Sequence, residues 1–368
     1  MTAGRGREQP ARRHLAPGAR LPSRPRDAFE HEIAATSAAQ PPTKAKRFMA
    51  TQATTQRVGV VGAGLIGSDR LRVWQDLGAP IAGAWTRGRA SSRKAIVERG
   101  CTVFDTIPDL LAQADIADIC LPTYLHRSAV AMAAQANCHI VCEKPLAIRA
   151  DDVEAMFQCC DDADVRLFVA MVVRFFPAYR HVWRIAREGR LGPVREIRLK
   201  RVGSPPPPLG SWFLDDECSG GMLTDLLIHD VDYATWLAGD VGSVHARTAG
   251  NGQHQYAHIT LEHLDGAVSR IEGGWVDDAP NLQTGGSVRC ADGDIPIALT
   301  SQYTAMDDPY VRQLRHFRDA LADDQPFLVS ADEALHVARI LDAARESARR
   351  RKPVTLATTA ESARDIPM

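Results

Sequence analysis

The chain has 368 residues, 44 Lys and Arg against 45 Asp and Glu, and 45% hydrophobic residues. This length suffices for two domains of ordinary size, each with its own core. The nearly neutral charge does not favour binding to nucleic acid or to a membrane, and no apolar run approaches the ~20 residues that cross a bilayer. The eight cysteines include no C-x-x-C pair and no spacing of a disulfide framework. The composition therefore predicts a reduced, cytoplasmic protein without a metal site.

Residues 1–56 differ in kind from the rest of the chain. They contain ten Lys or Arg and four Asp or Glu, together with scattered Pro, Gly, Ser and Ala. Such a segment buries too little apolar surface to offset its ordering entropy, so we predict a disordered basic extension. Two alternatives stay open at this point. The segment is a nucleic-acid-binding arm, or the start of the chain has been assigned too far upstream, because Met49 stands just ahead of the first strand.

From residue 57 to 176 short β-branched runs alternate with helical stretches. This alternation predicts a parallel, doubly wound sheet with helices on both faces, as in a Rossmann domain. The strands are predicted at 57–61, 81–85, 117–121, 139–142 and 167–171, and the helices at 65–77, 91–99, 126–135 and 151–160.

Residues 177–354 follow another pattern, in which successive strands lack intervening helices. This indicates a second α/β domain around an antiparallel or mixed sheet, followed by a tail at 355–368. Helices are predicted at 178–188, 222–237, 310–321 and 331–350, strands at 194–202, 243–249, 256–261, 268–275 and 286–290, and a polyproline loop at 205–208.

The first strand leads directly into the sequence G-x-G-x-x-G at 62–67 and then into a helix. In this context the pattern is typical of dinucleotide binding. Gly62 permits a tight turn, Gly64 lets the backbone approach a pyrophosphate, and Gly67 allows close packing of helix on strand. Leu65 and Ile66 complete the loop at the helix N-terminus, where free N–H groups favour an anion. The alternative is a glycine-rich turn without a ligand.

The end of the second strand carries no carboxylate that would bind the 2′-hydroxyl of the NAD ribose. Thr86 and Arg87 stand there instead, and neither would repel a 2′-phosphate. The sequence therefore predicts NAD(P) as cofactor, with a leaning toward NADP. The alternative is that Arg87 is a solvated surface charge and that the protein accepts both cofactors.

Two stretches supply groups for proton and hydride transfer. Glu143-Lys144-Pro145 follows a parallel strand at the edge where doubly wound sheets bind ligands, and Lys144 offers a cation to a developing alkoxide. A salt-bridged surface lysine is the alternative. Asp225 and His229 are four residues apart on a predicted helix, so they share a face, and His229 is a candidate acid or base. A helix-surface pair is the alternative, and Asp230 and Asp232 are read as solvated or structural. Pro145 also permits a cis peptide bond.

These stretches in this order resemble the Gfo/Idh/MocA family, named for glucose–fructose oxidoreductase and inositol dehydrogenase, over residues 57–354. The resemblance implies a second domain with a large, mainly antiparallel open sheet and a homodimer or homotetramer. It also implies catalytic roles for Lys144, Asp225 and His229 and places Pro122, His126 and Glu143 in the cofactor site. The chain departs from the family at Arg70, Thr86 and Leu227, where the family often has histidine, an acidic residue and glycine.

The predicted function is hydride transfer between NAD(P) and a hydroxyl or carbonyl of a sugar, sugar derivative or cyclitol. Trp212 fits either stacking on a sugar face or anchoring the core. Two other functions stay open: an NAD-dependent glycosidase that oxidises its substrate transiently, and a dinucleotide-binding sensor without catalysis. A sensor would tolerate loss of Lys144, Asp225 or His229, and all three are present.

Overall fold

A computed structural model describes residues 56–87, 90–205, 211–251, 254–276, 282–298, 304 and 307–356. The predicted polyproline loop falls mainly outside these ranges, as does most of the basic extension. The described chain forms two β-sheets, one in each half of the sequence, with helices packed against both.

The first sheet has six parallel strands in the order β3-β2-β1-β4-β5-β6. Its strands are continuous apolar runs, and those of β1, β4 and β6 are buried along their whole length, which is the pattern of a parallel sheet covered on both faces. The order reverses between β1 and β4, the point at which such sheets bind ligands. The strands are β1 Val58–Val61, β2 Ile81–Trp85, β3 Val103–Phe104, β4 Ile116–Ile119, β5 His139–Cys142 and β6 Leu167–Val169.

The second sheet has seven strands in the order β12-β11-β7-β10-β9-β8-β13. The pairing of β7 with β10 is parallel, and the other neighbouring strands are antiparallel. The predicted fold class is therefore confirmed. The strands are β7 Val194–Gly203, β8 Val241–Asn251, β9 His254–His263, β10 Val268–Trp275, β11 Gln283–Cys290, β12 Gly293–Ile297 and β13 Val354–Thr355.

Several helices begin at residues whose side chains accept from free backbone N–H groups. A capping box of Ser330 and Glu333 starts the last helix, and Thr106 and Asp308 accept from backbone N–H groups of α3 and α10. The described helices are α1 Leu65–Asp76, α2 Ala90–Glu98, α3 Ile107–Leu111, α4 His126–Gln135, α5 Ala150–Asp162, α6 Pro177–Glu188, α7 Asp216–Ser219, α8 Gly221–Asp225, α9 Ile228–Ala238, α10 Pro309–Ala322 and α11 Ala331–Arg350.

The last two helices return to the first sheet's half of the molecule. On α10, Phe317 packs edge-on against Trp74 of α1, with ring centroids 6.2 Å apart. On α11, the Asp342 carboxylate accepts from the Ala150 N–H at 2.9 Å and so caps α5. The two halves are therefore packed together by elements that are distant in sequence. The domain limits at 176 and 354 stay a prediction.

The predicted helix at 222–237 is wrong as a single element, because it is interrupted between α8 and α9. The backbone N–H groups of the two intervening residues both face the Met222 carbonyl, at 3.1 and 3.3 Å. One extra residue is thus accommodated in the turn. The sequence pattern did not predict five short elements, namely β3, α3, α7, β12 and β13.

Candidate active site

The candidate cofactor residues follow the carboxyl ends of four strands in the first sheet. Gly62 follows β1, Thr86 follows β2, Pro122 lies just beyond β4, and Glu143 follows β5. Since β1 and β4 are the strands between which the order reverses, these residues border the crevice expected to bind a ligand.

The three glycines of the loop meet different surroundings. Gly62 has a φ of +101°, and a Cβ there would lie 2.8 Å from the Cys120 carbonyl oxygen. A Cβ on Gly67 would lie 2.2 Å from the Gly62 carbonyl oxygen. Gly64 has a φ of −80°, and a Cβ there would have no protein atom within 4 Å among the described residues. The space over Gly64 therefore fits a pyrophosphate at the N-terminus of α1.

The loop is joined to the end of β2 by its backbone. The N–H groups of Gly62 and Ala63 both donate to the Trp85 carbonyl, at 2.9 and 3.0 Å. This brings Thr86, which is buried, and Arg87, which is exposed, next to the glycine loop. The first two residues of α1 present large apolar side chains to the outside, Leu65 and Ile66, with 77% and 41% exposure.

His126 joins the segment after β4 to the segment after β5. Its Nδ1 lies 2.9 Å from the Pro145 carbonyl oxygen and its Nε2 lies 2.8 Å from the Leu121 carbonyl oxygen. Burial lowers the pKa of His126. The side chain thus determines the course of the backbone around Pro122, which is half-buried. Direct contact of His126 or Pro122 with a cofactor stays a prediction.

Arg70 of α1, at the position where the family often has histidine, connects several buried groups. Its Nε is 2.9 Å from both oxygens of Asp118, and its Nη1 is 3.0 Å from Glu143 Oε1 and 3.3 Å from Gln313 Oε1. Trp74 Nε1 donates to the same Asp118 at 2.7 Å. Burial raises the pKa of Glu143, and the Arg70 cation opposes that effect. Arg70 therefore holds the Glu143 carboxylate in place beside the predicted cofactor crevice.

Lys144 and Asp225 meet across the two halves of the chain. The Lys144 ammonium donates to the Asp225 carbonyl at 2.8 Å and lies 3.3 Å from its Oδ1. The two side chains are only 17% and 15% exposed, so Lys144 is not a lysine of the open surface. The Lys144–Pro145 peptide bond is cis. The structure thus brings together two of the three predicted catalytic residues.

Arg345 of α11 bonds both segments that carry this pair, the loop after Lys144 and the helix that ends at Asp225. Its Nη2 donates to the Ile148 carbonyl at 2.6 Å, and its Nη1 donates to the Thr224 hydroxyl. Ile148 is in the loop that begins at Lys144, and Thr224 precedes Asp225 on α8. Nothing in the local sequence pattern pointed to this residue, because its partners come from two other segments.

His229 is the second residue of α9, beyond the interruption, so the prediction that it lies on one continuous helix with Asp225 is wrong. The imidazole Nδ1 is buried and has no hydrogen-bond partner among the described residues. Burial first, and then the cations of Lys144 and Arg201, hold the pKa of His229 well below its ordinary value. The imidazole is therefore neutral at pH 7 and is a proton acceptor in the resting state. The Lys144 ammonium thus contacts Asp225 directly, and its charge contributes to the low pKa of His229.

The two aspartates that follow His229 are structural. Asp230 and Asp232 are 1% and 0% exposed, so neither is solvated. Asp230 accepts from Arg201 of β7 at 2.6 and 3.2 Å, and Asp232 accepts from Arg174 at 2.7 and 3.1 Å. Each pair fastens α9 to a neighbouring segment.

Two aromatic residues border the same region. Trp212 stacks on Phe213, with centroids 3.8 Å apart, and lies 6.4 Å from Tyr124 in the turn after β4. Tyr310 begins α10, is 39% exposed, and lies close enough to Glu143 for that carboxylate, after burial, to raise its phenol pKa. The sequence pattern missed Tyr310, because it reaches the site only through the return of α10.

Among the described residues, no three His, Cys, Asp or Glu side chains are grouped as metal ligands. Nor does any described helix combine the length and apolar character that crossing a membrane requires. The eight cysteines all lie within the described ranges, and none of them forms a disulfide.

Comparison with known families matches both halves of the chain. Residues 56–171 match the oxidoreductase family with an NAD-binding Rossmann fold, and residues 179–295 match the GFO/IDH/MocA C-terminal domain. The chain belongs to the Gfo/Idh/MocA family of oxidoreductases. The resemblance predicted from the motifs is thereby confirmed.

Curated relatives of the chain include dehydrogenases that act on sugars and on inositol. The inositol 2-dehydrogenase of Rhizobium meliloti is 31% identical over 189 residues, which is 50% of this chain and 56% of that protein. The D-xylose 1-dehydrogenase (NADP(+)) 2 of Haloferax volcanii is 28% identical over 272 residues, 67% of this chain and 82% of that protein. The matched part thus spans between about half and four fifths of these relatives.

Solved structures support the fold. An oxidoreductase from Agrobacterium radiobacter in complex with NAD+, L-tartaric acid and magnesium has a TM-score of 0.73 at 22% identity, covering 82% of this chain and 98% of that one. Levoglucosan dehydrogenase in complex with NADH and levoglucosan has a TM-score of 0.74 at 19% identity, covering 83% of this chain and 100% of that one. At these identities the likeness concerns the architecture alone.

The burial of several histidines predicts how stability depends on pH. Burial lowers the pKa of six of them in the folded chain, whereas an unfolded histidine titrates near pH 6.5. The unfolded state therefore binds more protons as the pH falls below about 6.5, and the free energy of unfolding decreases. The six are His126, His139, His229, His263, His316 and His336.

For each such histidine the expected loss is at most about 1.4 kcal/mol per pH unit below that point. Urea unfolding at pH 7.5, 6.5 and 5.5 measures it, and the unfolding midpoint should move to lower urea at each step. A midpoint independent of pH over this range would contradict the neutral, buried state of these rings.

Proposed function

We propose that the protein is an NAD(P)-dependent dehydrogenase that oxidises a secondary hydroxyl of a sugar, sugar derivative or cyclitol, or reduces the corresponding carbonyl. The observation that carries the proposal is the meeting of Lys144 and Asp225 beside the edge that bears the glycine loop, with the buried imidazole of His229, whose Nδ1 is unpartnered among the described residues, two residues beyond the end of the interruption after Asp225. Membership of the oxidoreductase family supports the same reaction class.

In the direction of oxidation, the neutral His229 takes the proton of the substrate hydroxyl as the C–H bond breaks. Bound NAD(P)+ supplies the acceptor for the hydride. The Lys144 ammonium stabilises the negative charge that develops on the oxygen. Asp225 fixes the direction of that ammonium through the contacts at 2.8 and 3.3 Å. In the reverse direction protonated His229 returns the proton.

The substrate class is supported by chemistry around the site and by relatives. Several relatives are named as dehydrogenases of inositol, D-xylose or D-apiose. The aromatic pair Trp212 and Tyr124 lies by the turn after β4, where a ring face can pack on the apolar face of a sugar. A panel of pentoses, hexoses and inositols, assayed by absorbance of the reduced cofactor, tests the proposed class.

We further propose a preference for NADP(H). The end of β2 offers Thr86 and Arg87 where a carboxylate would bind the 2′-hydroxyl and repel a 2′-phosphate. Among relatives, the D-xylose dehydrogenase is named as NADP-dependent, whereas structural neighbours hold NAD+ or NADH. The choice therefore depends on this short segment.

A fluorescence titration with NADPH and NADH in parallel measures the preference. Replacing Arg87 by alanine is expected to weaken NADPH binding by about tenfold, the order of one charge-assisted contact, and to leave NADH binding unchanged. NADH binding is thus the internal control. Equal loss for both cofactors would contradict a contact with the 2′-phosphate. Absence of binding to either, in protein freed of copurified cofactor, would contradict the dehydrogenase itself.

We also propose that the protein is a homodimer or homotetramer assembled through the open face of the second sheet. Alternate residues of β7 and β10 point outward, including Arg198, Lys200 and Arg270, which are exposed in the single chain. They pair with Glu196 and Glu272 within the face, so little net charge opposes a second copy. Light scattering after size exclusion measures the mass, and a monomer at micromolar concentration would contradict the proposal.

A further inference from the structure

Arg70 of α1 connects two carboxylates that belong to neighbouring strands of the first sheet. Its Nε lies 2.9 Å from both oxygens of Asp118, on β4, and its Nη1 lies 3.0 Å from Oε1 of Glu143, directly after β5. The side chains of Arg70 and Asp118 are 1% and 0% exposed, whereas that of Glu143 is 16% exposed. Of these three groups, Glu143 is therefore the one that offers atoms to a ligand in the crevice.

Buried groups on two helices hold the guanidinium of Arg70 in one orientation. Trp74, one turn further along α1, donates to Asp118 at 2.7 Å, so the carboxylate that bonds Arg70 is itself fixed. Gln313 of α10 accepts from Nη1 of Arg70 at 3.3 Å, and the side chains of Trp74 and Gln313 are both fully buried. Nη1 thus contacts Glu143 and the second half of the chain at once. A rotation of the guanidinium would break these contacts together.

The place of Glu143 along the sheet edge indicates which part of a dinucleotide it meets. The strand order is β2-β1-β4-β5, with Thr86 after β2, Gly64 in the loop after β1, and Glu143 after β5. With the adenosine at Thr86 and the pyrophosphate over Gly64, the nicotinamide half of the cofactor extends over β4 and β5. Lys144, the next residue, is the proposed partner of the substrate oxygen, so hydride transfer requires the nicotinamide near it. We therefore expect the ribose of that half beside Glu143.

We propose that Arg70 is a positioning residue that fixes the Glu143 carboxylate to accept hydrogen bonds from the hydroxyls of the nicotinamide ribose. A carboxylate is suited to bind ribose hydroxyls, and one that is already held by a guanidinium loses less conformational freedom on binding. The inference rests on the proposed function for the identity of the ligand. It adds the group that prepares the nicotinamide half of the site, at a position where this chain departs from the histidine that is frequent in the family.

The test is Arg70→Lys, because lysine keeps a cation beside the buried Asp118 but has no planar fork that bonds two carboxylates at once. The matched control is Arg174→Lys. Arg174 is fully buried, bonds Asp232 through Nε and Nη2, and bonds Glu333 through Nη1, so the control loses an equivalent fork between two other carboxylates. Thermal unfolding of both variants measures the cost to the fold.

Calorimetric titration with NADH, ADP-ribose and ADP locates the effect along the cofactor. The three ligands share the same adenosine, so the choice between NAD and NADP at the end of β2 affects them alike. Arg70→Lys is expected to weaken NADH and ADP-ribose binding by about tenfold, the order of one charge-assisted contact, and to leave ADP binding within about twofold of the wild type. Arg174→Lys should leave the affinity for all three unaltered. An equal loss for all three ligands in Arg70→Lys, or an unchanged affinity for ADP-ribose, would overturn the inference.

A double-mutant cycle shows whether Arg70 acts through Glu143. Glu143→Gln keeps the shape of the side chain and removes its charge, so it is also expected to weaken ADP-ribose binding by about tenfold. Adding Arg70→Lys to Glu143→Gln should then cause little further loss, because the carboxylate to be positioned is already absent. Losses that add in the double variant would contradict the inference, since Arg70 would then influence the ligand by a route that does not include Glu143.

If Arg70→Lys does not fold, Glu143→Gln alone provides the test, with a loss expected for ADP-ribose and none for ADP. An unchanged ADP-ribose affinity in that variant would overturn the inference, because Arg70 would then have no ribose-binding carboxylate to position. The expected pattern of affinities in a protein that oxidises none of the sugars or inositols would contradict the proposed function and leave the inference intact.

Discussion

Replacing His229 by alanine is expected to lower kcat by about 10²–10⁴-fold, the contribution of a well-placed general base. The substrate hydroxyl then has no neutral group at this position to take its proton. Cofactor affinity should change little, because the glycine loop and the end of β2 are on another part of the edge. Stopped-flow measurement of reduced cofactor gives kcat, and fluorescence titration gives the cofactor Kd.

His181→Ala is the matched control for this variant. His181 is exposed on α6, so the same change there should leave kcat unaltered. A kcat for His229→Ala within twofold of the wild type would contradict the assignment of His229 as the general base. Parallel loss of kcat and of cofactor binding would instead indicate that the substitution disturbs the fold around Asp230.

Two glycine substitutions in one loop are expected to have opposite signatures. In Gly67→Ala the new Cβ would lie 2.2 Å from the Gly62 carbonyl oxygen, so the loop must move and both stability and cofactor binding are lost. In Gly64→Ala the new methyl meets no described protein atom within 4 Å, and the φ of −80° is not in the left-handed region that favours glycine. Stability should then be unchanged, while cofactor affinity falls by about tenfold or more, equivalent to about 1.4 kcal/mol.

Thermal unfolding without cofactor and fluorescence titration with it distinguish the two variants. Because the methyl on residue 64 contacts no described protein atom, a loss of cofactor affinity in Gly64→Ala would come from its contact with the bound cofactor. Wild-type cofactor affinity in Gly64→Ala would show that no pyrophosphate passes over this glycine. A wild-type melting temperature in Gly67→Ala would contradict the close contact between helix and strand.

The elements of the first sheet could be predicted because each has its own local signal. β2 and β5 coincide with the predicted limits of 81–85 and 139–142, since buried parallel strands are short apolar runs between polar turns. The glycine loop and the lysine after β5 follow from such strands, because strand ends locate the binding edge. Local patterns therefore sufficed to predict the fold class and to place the cofactor candidates at the carboxyl ends of the strands.

The features that could not be predicted depend on contacts between residues that are far apart in sequence. The interruption before α9 falls at two leucines, which favour helix, and it is accompanied by the contact of Leu227 with Gly273 on another strand. The partners of Arg70, Arg201 and Arg345 come from other segments of the chain. Such contacts are decided by the packing of the whole chain, so the sequence pattern could locate the catalytic candidates but not the groups that hold them.

The contacts of Arg345 bear on when, during synthesis, the candidate active site can be completed. During synthesis the glycine loop, Lys144 and Asp225 all leave the ribosome before α11. In a nascent chain that ends before α11, the loop of Lys144 and the helix of Asp225 therefore lack the guanidinium that joins them. The chemistry of the site is completed by one of the last residues of the fold to be made.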